Sequence, residues 1–117
     1  MFTPKVKNEQ TDFLMDAILS LETREEAYRF FEDLCTIAEI RSIAQRMEVA
    51  ALLREKETYQ DIVKTTGASS ATISRVNRAL LYGAEGYACV LDRLLGSAST
   101  EAKSEGGDAV GPVDAEP

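Results

Sequence analysis

Histidine and tryptophan are both absent from this chain. The missing histidine removes the commonest general base, the commonest zinc ligand and the side chain that switches charge near neutral pH. Cysteine is scarce: Cys35 and Cys89 lie far apart and form no CxxC spacing. They are expected as small buried apolar side chains in a reducing compartment rather than as a disulfide or metal pair. No apolar run approaches the length of a membrane span, and the first ten residues, MFTPKVKNEQ, hold no apolar signal core. A soluble cytoplasmic protein is the expectation. Carboxylates are scattered and no glycine-rich phosphate loop is followed by lysine, so an enzyme is not expected, and neither is a cofactor or a metal. Basic charge is also in deficit. The 117 residues carry 20 acidic and 13 basic side chains, a formal charge of −7, which argues against non-specific binding to a polyanion.

That acidity is uneven. From Ser97 onward there are five acids (Glu101, Glu105, Asp108, Asp114, Glu116) and one base (Lys103), a net −4. The segment 97–117 is rich in Gly, Ala, Ser and acids and has no aromatic residue. It cannot bury enough apolar surface to offset its ordering entropy, and is read as a disordered acidic tail that aids solubility. A sharper alternative is that it masks the basic side chains Arg75 and Arg78 by charge attraction. Residues 1–7 are read as a flexible arm, leaving 8–96 as the folded domain.

Within that domain, apolar side chains recur at helical spacing. Leu14, Ala17, Ile18 and Leu21 fit i, i+3, i+4, i+7, and so do Ala27, Phe30, Phe31 and Leu34; Ile37, Ile40, Ile43, Ala44 and Met47 continue the pattern. Thr23 with Glu26, Thr36 with Glu39, and Ser42 with Gln45 have the capping-box spacing. Helices are expected near 9–21, 24–34, 37–41, 43–56, 59–65, 70–81 and 85–95. Sustained period-two alternation is absent, which makes the domain all-α. The first two helices have wide apolar faces, with Phe13, Tyr28, Phe30 and Phe31; a small domain buries a limited fraction of its surface alone, so a dimer is expected, with a compact monomeric bundle as the alternative.

The stretch from Thr58 to Leu80 carries the functional signal. Thr58 can cap a short helix holding Ile62 and Val63. Gly67 ends it as a residue able to take φ > 0, and Ser69 or Ser70 can cap the next helix. Two short helices joined by a glycine-containing turn of three or four residues are the helix-turn-helix plan, in which the second helix enters the DNA major groove. At 100° per residue, Val76 and Leu80 fall within about 60° of Ile73, while Ala71 lies at about 160°, Arg75 at about 200° and Arg78 at about 140°. The outward face therefore offers short uncharged side chains, including Thr72 and Ser74 on its flanks, followed by two arginines. Short side chains allow close approach to base edges, and arginines reach bases or phosphates. From Thr58 to Tyr82 the bases Lys64, Arg75 and Arg78 face one acid, Asp61, for a local net charge of +2. The plain alternative is a core-facing helical hairpin with two solvated arginines. Arg54 in the charge run REKE (54–57) is a further phosphate candidate on a solvated helix end, and YGAEGY (82–87) is read as a helix stop at Gly83 and a turn into the last helix.

The residues YQDIVKTTGASSATISRVNRALLYGAEGY, with RMEVAALLREKETYQDI overlapping before them, resemble the Trp-repressor superfamily, most closely its TrpR-like proteins of the YerC/YecD type. The resemblance runs from about Phe13 to Leu95. It implies an all-α, Trp-repressor-like bundle forming an intertwined homodimer, with the helices of Phe13–Leu34 and Tyr87–Leu95 in the dimer core. It also implies a roughly palindromic double-stranded DNA operator. The positions that resemble the repressor's DNA contacts are Tyr59, Gln60, Val63, Ser70, Ala71, Thr72 and Ser74, with Val63 standing where a basic residue is usual. Together with the residues singled out above, the candidate DNA-binding set is Tyr59, Gln60, Lys64, Ser69, Ser70, Ala71, Thr72, Ser74, Arg75 and Arg78. The tryptophan pocket of the repressor is altered. Arg75 matches one of its two arginines, but Val76 replaces a glycine, Gln45 stands at the other arginine with Arg46 one step out of register, and Ala79 replaces a hydroxyl. Gln45, Arg46, Arg75, Val76 and Ala79 are thus read as a pocket remnant, and tryptophan is not expected as corepressor. The expected function is a sequence-specific DNA-binding transcriptional regulator, a repressor. The alternatives are a helical protein-interaction module that does not bind DNA and a regulator answering to a different small ligand.

Overall fold

The computed structural model describes residues 2–96; the acidic tail at 97–117 lies outside the described residues. Among these residues there are six helices and no strand: α1 (Glu9–Leu19), α2 (Arg24–Leu34), α3 (Ile37–Arg54), α4 (Tyr59–Thr66), α5 (Ser70–Tyr82) and α6 (Gly86–Leu95). The fold is all-α, as the periodicity requires.

The chain divides into two compact units, the first ending at Arg41 and the second starting at Ser42. In the first, each helix start is fixed by a polar side chain. The Asn8 side chain accepts from the Thr11 N–H at 2.8 Å, and the Thr23 hydroxyl from the Glu26 N–H at 3.0 Å. The Glu26 carboxylate does not close a box on Thr23; it accepts from the Glu22 N–H at 2.8 Å. Thr36 and Glu39 do form the reciprocal box, at 2.8 and 3.0 Å. α1 stops at Leu19, two residues short of the expected end, because the Ser20 hydroxyl and N–H both turn back onto the Ala17 carbonyl. No residue of α1 or α2 is buried. Phe13 is 77 % exposed and Leu19 80 %, and Phe30 and Phe31 meet edge-to-face with ring centroids 5.4 Å apart.

The expected break at Ser42 is absent. α3 runs unbroken through it, and the Ser42 hydroxyl accepts from the Arg46 guanidinium at 3.2 Å instead of capping a new helix. Nothing between Ile37 and Arg54 breaks a helix: no glycine, proline or asparagine interrupts the run. The real end of α3 is a Schellman motif. The Glu57 N–H donates to the Leu52 carbonyl at 3.1 Å and the Lys56 N–H to that of Leu53 at 2.9 Å, with Lys56 in the left-handed region at φ 68°.

The second unit holds the core. Val49, Ala50, Ala51 and Leu52 of α3 bury together with Ile62, Ala68, Ile73, Val76 and Leu91, and Leu80, Tyr87 and Leu95 pack against them. No polar or charged residue is buried among the described residues. The two cysteines depart from expectation. Cys35 is half-buried and Cys89 exposed, and both are free thiols. On α6 the buried position is Leu91, which leaves Cys89 and its neighbour Val90 on the open side. No helix among the described residues is long and apolar enough to cross a membrane.

Candidate nucleic-acid interface

α4 and α5 are built from local signals. The Thr58 hydroxyl accepts from the Asp61 N–H at 3.1 Å and starts α4. Gly67 closes it in the left-handed conformation, φ 77°, with its N–H on the Val63 carbonyl at 2.8 Å. Ser69, not Ser70, is the cap of α5: its hydroxyl accepts from the Thr72 N–H at 3.1 Å. The same hydroxyl lies 3.2 Å from the Thr72 hydroxyl and donates to it. Between Thr66 and Ser70 only three residues intervene, and Ala68 among them is buried. That is the turn length and the inward anchor a helix-turn-helix needs.

The faces separate as the helical wheel requires. Ile73 and Val76 are buried, and Leu80 is half-buried beside them. Tyr59, Gln60, Lys64, Ser69, Ser70, Ala71, Ser74, Arg75 and Arg78 are exposed, and Thr72 is half-buried. Val63 is also exposed. Ser70 and Ala71 open α5, so its first turn presents only short side chains beside the N-terminal backbone N–H groups. Lys64, Arg75 and Arg78 supply the positive charge around it.

The five residues read as a pocket remnant differ in burial and in hydrogen-bond partners. The Gln45 side-chain amide donates to the Thr66 carbonyl at 3.2 Å, at the end of α4. Arg46 is engaged with Ser42, Arg75 is exposed, and Val76 is 1 % exposed inside the core. Ala79 alone of the five lines an open apolar groove of about 430 Å³, with Met47, Ala84, Glu85, Gly86, Tyr87 and Val90. Arg54 is not a solvated phosphate contact either. Its guanidinium donates to the Leu91 carbonyl at 3.1 Å and to the Asp92 carboxylate at 3.2 Å, and it also bonds the Gly96 carbonyl, capping the C-terminal end of α6. These tertiary bonds of Gln45 and Arg54 reach 21 and at least 37 positions along the chain, a range over which local spacing carries no signal. No cluster of three His, Cys, Asp or Glu side chains suited to a metal occurs among the described residues.

The Trp repressor protein family model matches residues 9–95, which span all six helices of the described residues. The chain belongs to this family. It is 57 % identical over 90 residues to the uncharacterised protein YerC of Bacillus subtilis (strain 168), across 77 % of this chain and 86 % of that protein. The crystal structure of a TrpR-like protein from Eubacterium eligens ATCC 27750 superposes with a TM-score of 0.75 at 59 % identity, covering 77 % of this chain and 93 % of that one. The crystal structure of a candidate Trp repressor from Staphylococcus aureus gives a TM-score of 0.74 at 50 % identity, covering 76 % of this chain and 89 % of that one.

Proposed function

We propose that this protein is a sequence-specific DNA-binding transcription regulator, acting as a repressor, which places α5 in the major groove. The observation that carries this reading is the division of α5. Ile73 and Val76 are locked into the core, while Ser70, Ala71, Ser74, Arg75 and Arg78 stand exposed on the other side. Thr72 and Ala71 meet base edges and thymine methyl groups. Tyr59 and Gln60 at the start of α4, with Lys64, Ser69, Arg75 and Arg78, hold phosphates and fix the register. Family membership supports the same use of the unit.

The working form is a homodimer. No residue of α1 or α2 is fully buried within one chain, and helices of 11 residues are marginal in water without tertiary packing. A second copy supplies the missing surface. Two α5 helices then read a roughly palindromic operator, with half-sites about 34–36 Å apart or a multiple of that. Tryptophan is not the effector. Val76 is packed in the core, Gln45 is engaged with Thr66, and Ala79 has no hydroxyl to receive an amino group. Isothermal titration with tryptophan gives no binding heat; micromolar affinity would reverse this point.

Selection of bound sequences from random duplexes tests the main reading. The expected result is an enriched two-fold motif. Binding to it weakens with salt at a log–log slope of about −0.9 per phosphate contacted. Absence of saturable DNA binding would favour a surface that docks on protein instead.

A further inference from the structure

We infer that Gln45 is a positioning residue for DNA reading, a fixed latch that sets the turn between α4 and α5 without any bound small molecule. The inference rests on the DNA-binding role proposed above. The last carbonyls of a helix have no partner within it and need one from elsewhere. At the end of α4, Thr66 is the node where such partners meet. Its carbonyl accepts from the Gln45 side-chain amide at 3.2 Å. Its hydroxyl donates to the Ile62 carbonyl at 2.8 Å and accepts from the Ala68 N–H at 3.0 Å. Gly67, next in the chain, bends back with its N–H on Val63 at 2.8 Å. The backbone from Ile62 to Ala68 is therefore stitched to itself, and Gln45 ties the stitched turn to α3.

That tie matters because the packing around it is apolar. Ile62, Ala68, Ile73 and Val76 hold α4 and α5 to α3 by packing, which is strong but non-directional. A hydrogen bond to a carbonyl is directional and weakens steeply away from good geometry. Gln45 thus selects one setting of the turn among those the packing allows, and the turn sets the angle at which α5 leaves. Glutamine does not titrate, so the latch holds equally across the physiological pH range, and it is part of the chain, so it is always present.

The test compares four proteins: wild type, Gln45→Met, Gln45→Glu and Gln45→Lys. Methionine keeps the volume and cannot donate, glutamate presents an acceptor to an acceptor, and lysine restores a donor at similar reach. Each is measured for affinity to the selected operator and to an unrelated duplex, and for backbone amide exchange. Met and Glu are expected to lower the operator-to-unrelated ratio by about tenfold, the size of one directional hydrogen bond. Lys brings the ratio back towards wild type. Exchange should quicken at Gly67 and Ala68 in Met and Glu while the amides of Val49–Leu52 stay protected, and the salt slope on the operator should not change. An unchanged ratio in Gln45→Met overturns the proposal, as does a loss of protection spread evenly over all helices. Should the wild type discriminate no duplex, the DNA-binding role fails, and the exchange pattern then decides the latch by itself: quickening confined to Gly67 and Ala68 supports it, and none overturns it.

Discussion

Gly67 and Gly83 flank α5, and each is glycine for a different physical reason. Gly67 sits at φ 77°, and a Cβ there would meet nothing within 4 Å; the constraint is the backbone conformation. Gly83 has φ −88°, which any residue adopts, but a Cβ would lie 2.5 Å from the Ala79 carbonyl oxygen. Its constraint is space. Asparagine tolerates the left-handed region, yet it carries the same Cβ as alanine. Gly67→Ala should therefore lower stability by about 1–2 kcal/mol, and Gly67→Asn by clearly less. Gly83→Ala and Gly83→Asn should be equally harmful. Thermal unfolding of the four variants without DNA checks the pattern; equal losses for both Gly67 variants would show that its conformation is not the constraint. Both glycines are legible in the sequence as helix stops, and both end a helix, but the close approach at Gly83 is not legible, because it depends on how the chain leaves α5.

Helix starts are where the sequence is most informative, since a cap and its partner lie three residues apart. Thr23, Thr36, Thr58 and Ser69 all cap as their spacing suggests. The choice between Ser69 and Ser70 is settled by geometry, and it predicts a sharp contrast. Ser69→Ala should cost about 1 kcal/mol, the usual loss for an N-cap hydroxyl. Ser70→Ala, which removes an exposed hydroxyl, should stay within about 0.5 kcal/mol of wild type. Urea unfolding in the absence of DNA separates the two, and equal effects would contradict the assigned cap. Ser42 shows the limit of the same rule. Ser42 and Gln45 have box spacing, but that spacing also falls within any continuous helix, and here the hydroxyl serves Arg46 while the amide serves Thr66. The all-α class and the α4–turn–α5 unit were legible because periodicity and caps are local. The Gln45 and Arg54 contacts were not, because they join residues far apart in the chain. The burial expected of Cys35 and Cys89 failed because a residue's apolar character does not say which side of its helix meets the core.

For the molecule as a whole, the apolar surface left open on α1 and α2 has a measurable consequence. Sedimentation should give twice the 12.8 kDa of one chain, and the midpoint of thermal unfolding should rise with protein concentration, as for any fold completed by association. Phe13→Glu, which puts a charge in place of the exposed aromatic side chain of α1, should shift the mass towards one chain and remove that concentration dependence. A wild type that sediments as one chain at micromolar concentration would refute the dimer. The net charge of −7 gives no hint of any of this, since it averages an acidic segment beyond Ser97 with a positive α4–α5. Arg54 carries one more consequence, in the topology of the chain. Its bond to the Leu91 carbonyl spans 37 positions and closes them into a ring that contains the whole of α4 and α5. The helix-turn-helix is thus a cassette clipped at both ends. Because the entropy of closing such a ring grows only with the logarithm of its length, by about 0.6 kcal/mol per doubling, the cassette's connecting loops can lengthen at little thermodynamic cost while its two attachment points stay where they are.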